Sequence, residues 1–456
     1  MKRMNKANYM YRMMVLWALC LMVSCGTLRR VPPMPPVTSS GEIPQQVVEL
    51  TSVVQQPTVS PATEEVQQPV VPPTVPAAEE TWASRMCRGL DSLCAQPLFE
   101  TTQLGMYIYD LTEGRPLYAR NAIHRLRPAS CQKLVTSIAA LHYLGGDYQF
   151  RTRLFTTGTV SGGVLSGDVY VLGGMDPLLS RSGLQQMVAA LGREGITSID
   201  GHLYIDLSMK DDIGLGSGWS WDDDYGPYSA LMVDAKDQFA EQWVAALAKG
   251  GIRLKYRAVQ QKTVPTIGTR AILTIPHSID EVLIPMMKMS ENIYAECMFF
   301  QIAAMDGQKL ATRKHAEEKI KQLVTQLGLP VDNYTMADGS GLSPYDYVSP
   351  ELLVALLNYA QSRPEIFQHL YPSLPIAGVD GTLEKRMVET AAAGNVHAKT
   401  GTVSGVSSLS GYLTASNGHL LSFSIINQGV PRANQGRSFQ DQVCCLLCGQ
   451  ETPTNP

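Results

Sequence analysis

From Ala129 to Leu144 the chain runs for sixteen positions without a glycine or a proline. Leu134, Ile138 and Leu141 fall on one side at helical spacing, while Ala139 and Ala140 allow close packing on the other. Such a helix is a buried one, so the rest of the chain must supply elements that enclose it. Pro128, with φ fixed in the helical range, predicts the first turn. Ser130 then lies in that turn and Lys133 one turn later, side by side on one face. A serine hydroxyl is a poor nucleophile until a base takes its proton. A lysine amine can be that base when burial or a second cation depresses its pKa. The positive end of the helix acts in the same direction. Alone, this spacing fits an ordinary helix start equally well.

Of the 456 residues, 45% are hydrophobic and 17% charged, which are globular values, and the length allows two or three domains. A net charge of −4 with no basic run after the N-terminus argues against nucleic acid as a partner. Residues 1–24 read as a signal peptide. Lys2, Arg3, Lys6 and Arg12 precede an apolar run of twelve, Met13 to Ser24, which is short for a membrane span. The end of that run, Leu21-Met22-Val23-Ser24-Cys25, resembles a bacterial lipoprotein processing site with Cys25 as the lipid anchor. Ordinary signal cleavage nearby is the alternative. Residues 25–80 form the anchor and a linker. Eleven of the 28 prolines lie between Pro32 and Pro76, and such a chain buries no core and stays extended. These features predict an exported protein, lipid-anchored on the periplasmic side of a bacterial membrane (the outer membrane in a Gram-negative cell). Cys20 leaves with the signal, and the cysteines beyond Cys25 suit a compartment where disulfides persist. Cys444, Cys445 and Cys448 have no histidine nearby and predict a packed helix, open to a disulfide link, rather than a metal site. Cys131 reads as a small buried filler.

Along the folded part, Met106–Asp110 and Leu117–Arg120 flank a turn and predict a hairpin that feeds the Ser130 helix. Residues 151–270 carry short alternating stretches, Val164–Gly174 and Gly201–Asp206, with a helical stretch at Leu184–Leu191 between them. Helical pattern returns at Ile279–Met289 and from Ser290 to about Met305. Ser349-Pro350 caps another helix through Tyr359. Three strands follow at His397–Val403, Ser407–Leu413 and Leu420–Asn427, the last two joined at Ser416-Asn417-Gly418, and residues 435–448 close as a helix. This order predicts a core split by an insert, its sheet assembled from both chain ends.

Ser130-x-x-Lys133, Ser290-Glu291-Asn292 and Lys399-Thr400-Gly401 occur in that order. Each has a bland reading: Ser290 and Asn292 as a helix cap, Lys399 as a solvated strand lysine. All three in order are the signature of penicillin-binding proteins and class A β-lactamases. The chain resembles, more narrowly, the class C low-molecular-mass penicillin-binding proteins, the D-alanyl-D-alanine carboxypeptidase/endopeptidase family. The resemblance extends from about Gly105 to Asn427. Leu165-Ser166-Gly167-Asp168, Gly173-Gly174-Met175-Asp176-Pro177 and Gly218-Trp219-Ser220-Trp221-Asp222-Asp223 resemble the family's inserted domain. Ala337–Ser343, Ala377–Leu383 and Ala398–Leu413 resemble its transpeptidase-like core. Family members often carry a further domain after the tryptophan-rich segment, whereas here Ser229-Ala230-Leu231 runs almost at once into a helix at Gln238–Lys249.

The resemblance implies an α/β (α+β) fold: a transpeptidase-like core whose antiparallel sheet is flanked by helices, with a smaller β-rich inserted domain. The core is expected at 81–150 and 271–450, with the insert at 151–270. It implies Ser130 as the acylated nucleophile and Lys133 as its general base. Ser290 relays a proton to the leaving amine, and Asn292 holds the substrate amide and Lys133. Lys399 supplies positive charge for the substrate's terminal carboxylate, and Thr400 hydrogen-bonds it. Gly401 lets substrate lie along the strand edge, and the N–H groups of Ser130 and Thr402 form the oxyanion hole. The implied partners are peptidoglycan stem peptides and acylating β-lactams, with no metal or other cofactor. Two rivals are a β-lactamase, disfavoured by the insert, and a catalytically silent envelope scaffold, disfavoured by the intact triad.

Overall fold

The computed structural model describes residues 80–220 and 226–449. The signal peptide, Cys25, the linker through residue 79 and the 221–223 part of the tryptophan-rich segment lie outside the described residues. Helix α1 (Trp82–Cys94) leads into β1 (Gln103–Asp110) and β2 (Arg115–Arg120), the expected hairpin. Near the other end come β12 (His397–Val403), β13 (Val406–Thr414) and β14 (Leu420–Gln428), then α10 (Ala433–Leu447). These five strands make one antiparallel sheet in the order β12-β13-β14-β1-β2. Its centre joins the two chain ends, with Ile108 opposite Phe423 and Leu409 opposite Ile425. Strands β13 and β14 are buried along nearly their whole length, so both faces of the sheet are covered. On one face α1 and α10 close a cluster containing Leu90, Ile108, Phe423, Phe439 and Val443.

The other face receives the central helix α2 (Gln132–Leu144), buried continuously from Gln132 to Leu141. It is enclosed by α5 (Ile279–Lys288), α6 (Asn292–Ala304), α7 (Arg313–Gln326), α8 (Pro350–Gln361) and α9 (Pro364–Ser373). The expectation of a helix buried all round therefore holds. Its start differs. Pro128 does not open the α-helix; Ala129–Cys131 form a 3-10 turn ahead of it, and Ala129 takes a left-handed φ of 46°. An L-residue holds that conformation only where its surroundings dictate it. The backbones of Gly341 and Gly401 press against this turn, as described below.

Between β3 (Gln149–Thr157) and β11 (Thr269–Ser278), which pair antiparallel, the chain builds two further sheets. With β4 (Thr159–Ser161), β5 (Val164–Ser166), β6 (Val169–Leu172), β7 (Ser198–Ile199), β8 (Leu203–Asp206), β9 (Arg253–Leu254) and β10 (Val259–Gln261), their orders are β10-β8-β6-β3-β11 and β4-β5-β7-β9. Helices α3 (Arg181–Arg193) and α4 (Phe239–Lys249) cover them through Leu184, Met187, Trp243 and Leu247. This segment also buries Met175, Trp219, Tyr228 and Met232 in the same cluster as the central helix. The described cysteines, Cys444, Cys445 and Cys448 included, are free thiols, so no disulfide staples the closing helix. Among the described residues no helix is long and apolar enough to cross a membrane.

Candidate active site

The three sequence motifs converge at the start of α2. Ser130 sits in the 3-10 turn and Lys133 in the first turn of α2. Ser290 lies between α5 and α6 with φ 66°, and Asn292 is the first residue of α6. Neither caps that helix. The N-cap is Glu291, without a side-chain bond, while the side chains of Ser290 and Asn292 turn to the two lysines. The bland reading of both residues is thereby excluded.

Lys133 Nζ lies 3.0 Å from Ser130 Oγ, 2.6 Å from Asn292 Oδ1 and 2.8 Å from the Ser340 carbonyl oxygen. The amide and carbonyl oxygens can only accept. A neutral amine has two N–H bonds and one lone pair. Donating to those two acceptors leaves the lone pair facing the Ser130 hydroxyl, which can donate to it. Burial pushes the Lys133 pKa well below the usual lysine range, and the Lys399 charge pushes the same way; Asp338 and Glu296 oppose them in part. Lys399 is also fully buried, which pulls its pKa down to about 8. It donates to Ser290 Oγ (2.9 Å) and to the Thr400 carbonyl (2.8 Å). The arrangement supplies a base-paired hydroxyl beside a second cation, the equipment of serine acyl transfer.

Strand β12 is an edge of the five-stranded sheet. The Ala398 N–H crosses that edge to the Pro375 carbonyl (3.0 Å). Backbone groups alternate with a period of two, so the N–H groups of Thr400 and Thr402 point across the same edge. An extended peptide can add there, with Thr402 N–H as an oxyanion donor. Gly401 also has a packing reason to lack a side chain. A Cβ there would overlap Ser408 Oγ and come within 2.6 Å of the Pro128 carbonyl oxygen and 2.9 Å of Ser130 N. The missing side chain lets the strand approach the Ser130 turn. Cys131, beside Ser130, is buried and donates to the Lys399 carbonyl (3.2 Å), which fits a filler.

Sequence reasoning assigned no role to the loop 337–343, yet its Ser340 carbonyl holds Lys133. Asp338, fully buried, accepts from the N–H groups of Ser340 (2.9 Å), Gly341 (2.6 Å) and Ser343 (2.7 Å) and from Trp219 Nε1 (2.8 Å). Glu296 accepts from Gly339 N–H (2.9 Å) and from the Tyr228 hydroxyl (3.1 Å), and burial raises its pKa to about 8. The Asp-Gly-Ser-Gly spelling was the available signal: a carboxylate followed by small residues marks a tight turn folded on its own side chain.

The model of the D-Ala-D-Ala carboxypeptidase 3 (S13) family matches residues 86–237 and 229–448. The chain belongs to this family. Among its relatives, the D-alanyl-D-alanine carboxypeptidase of Actinomadura sp. (strain R39) is 29% identical over 75% of this chain and 80% of that protein. A crystal structure of penicillin binding protein 4 (dacB) from Haemophilus influenzae has a TM-score of 0.69 at 24% identity, covering 81% of this chain and 98% of that one. Another structure of that protein, complexed with a β-lactam, gives 0.66 at 25% identity over 79% and 98% of the two chains.

Proposed function

We propose that this chain is a serine-type D-Ala-D-Ala carboxypeptidase acting through an acyl-enzyme on Ser130. The observation that carries the assignment is the Lys133–Ser130 contact of 3.0 Å, with both other Lys133 partners obligate acceptors. Lys133 takes the hydroxyl proton as Ser130 Oγ attacks the carbonyl carbon of the penultimate D-Ala. The oxyanion rests on the N–H groups of Ser130 and Thr402, where losing one donor typically costs ~3 kcal/mol. Collapse breaks the peptide bond. The proton reaches the leaving amine through Ser290, which Lys399 orients, and water then cleaves the Ser130 ester, regenerating the hydroxyl. Asn292 holds the substrate amide, and Thr400 and Thr402 face its terminal carboxylate. Cross-linked stem peptides fit the same chemistry, because only the leaving amine differs, so endopeptidase action belongs to this proposal. A β-lactam acylates the same serine. The family match supports turnover over a silent scaffold.

Labelled penicillin is expected to modify Ser130 in the wild type and to leave Ser130→Ala unlabelled while that variant stays folded. Mapping of the label to any other residue refutes the nucleophile.

The exported location is part of the same proposal: a signal peptide at 1–24, a lipid on Cys25, and the linker to residue 80 reaching from a bacterial membrane (the outer one in a Gram-negative cell) to a core at 81–150 and 271–450 with its insert at 151–270. Wild type should partition with membranes, and Cys25→Ala should not be lipidated. Mass spectrometry that finds the mature N-terminus at an unmodified residue other than Cys25 would remove the anchor.

A further inference from the structure

Both lysines of the site are fully buried, and each ammonium is already held by protein oxygens. Along β12, alternation puts Lys399 and Gly401 on the side toward α2, and Thr400 and Thr402 on the opposite side. Lys399 has no exposed surface, and its ammonium is held by Ser290 Oγ and the Thr400 carbonyl. On the threonine side, Thr400 Oγ1 donates to Thr382 Oγ1 (2.8 Å), while Thr402 Oγ1 accepts from Arg437 Nη2 (3.3 Å). Arg437 is exposed, and no carboxylate pairs with it among the described residues.

Its place is built, not incidental. Thr402 lies opposite Ser407 in the β12–β13 register. Helix α10 crosses β13 so closely there that a Cβ at Gly436 would come within 2.7 Å of Ser407 Cβ. The next residue is therefore set beside Thr402. One turn on, Gln440 Nε2 donates to Ser407 Oγ (3.0 Å). Arg386 donates to the Arg437 carbonyl (3.2 Å) while it pairs with Asp441 (2.6 Å). The helix is pinned on two sides, and the exposed guanidinium rests on Thr402 Oγ1.

We infer that Arg437 is a specificity-determining residue that receives the substrate's terminal carboxylate together with the Thr400 and Thr402 hydroxyls. A guanidinium presents a planar fork that matches a carboxylate, and charge-assisted bonds of this kind are roughly twice as strong as neutral ones. Lys399 then acts from behind the strand, through its field and through Ser290. The inference rests on the acyl-transfer reading given above.

The test uses two acyl-D-Ala thioesters, one with a carboxylate on the leaving thiol and one with its methyl ester, on the full-length wild type, R437Q and R437K. Wild type should prefer the carboxylate substrate by kcat/KM. R437Q should lose ~10–100-fold on that substrate, mainly in KM. Its loss on the methyl ester should be at least about tenfold smaller, and R437K should recover part of the difference. An unchanged KM for the carboxylate substrate in R437Q, or equal losses on both substrates, overturns the role of Arg437 and leaves the acyl-transfer reading standing. If wild type turns over neither thioester, the acyl-transfer reading fails and the inference falls with it.

Discussion

Lys133→Arg should lower the rate of penicillin acylation by ~10²–10⁴-fold or more, while Lys399→Arg retains a measurable part of it. The difference follows from what each lysine has to do. Lys133 must carry a lone pair, and burial beside a second cation drives it toward the neutral amine. A guanidinium stays charged near pH 7 and cannot accept the Ser130 proton. Lys399 must carry charge, and arginine preserves it in a different shape. The same logic fixes a sign in pH. Lys399, with its pKa drawn down to about 8, is charged below that pH and neutral above it. Wild-type acylation should therefore fall as pH rises through about 8, when the cation that keeps Lys133 neutral and orients Ser290 is lost. Lys399→Arg should push that alkaline limb upward. The measurement is the second-order acylation rate of both variants from neutral to alkaline pH. Near-wild-type rates in Lys133→Arg alongside loss in Lys399→Arg would mean that the roles are reversed or shared.

Gly341→Ala is expected to damage both stability and chemistry, although it lies outside the three motifs. Gly341 has φ +81°, and a Cβ there would overlap the Ala129 carbonyl oxygen and come within 2.8 Å of Gln132 Cβ. The first obstacle is backbone and cannot rotate away. Strain of this kind costs of the order of 1–3 kcal/mol before any displacement is counted. Displacing the turn moves Ser130 against Lys133, and a misplacement near 1 Å costs about 10²-fold in rate. Gly394→Ala is the control, since its φ is also positive (+72°) but nothing lies within 4 Å of the added atom. It should show backbone strain without loss of acylation. Chemical denaturation and penicillin acylation measure the two effects. If the two alanine variants behave alike, the contact between Gly341 and the Ser130 turn does not position the nucleophile.

Strong local patterns were legible. Strand His397–Val403 appears with the predicted bounds, and the two strands after it differ by one residue at their ends. Helix Pro350–Gln361 carries both its capping serine and its leading proline. Other elements had weak signatures and went unread. Helix α7 buries only Ala316, Ile320, Leu323 and Val324 along fourteen largely charged or polar residues. Strand β11 buries one residue fully, contains Pro276 and forms a sheet edge, so alternation is blurred where the sequence would have to reveal it. Helix α1 is defined by what it packs on, since Leu90, Leu93 and Cys94 meet a cluster supplied mostly by the far end of the chain.

By itself the sequence determined which chemical groups exist and in what order: a serine and lysine one helical turn apart, a second serine and asparagine at a helix start, and a Lys-Thr-Gly strand. Spacing within one element fixes which side chains share a face, and that information is local. Protonation, aim and approach are not local. Lys133 is driven toward the neutral amine because remote segments bury it, and two obligate acceptors, Asn292 Oδ1 and the Ser340 carbonyl, take its N–H groups. Gly401 and Gly341 matter because two distant backbones meet the Ser130 turn at distances where a Cβ cannot fit. Arg437 acquires a partner in Thr402 only through the packing of α10 on β13. The hydrogen bonds among them join residues 35, 159 and 207 positions apart, and only the packing of the helices on the five-stranded sheet brings them within bonding range.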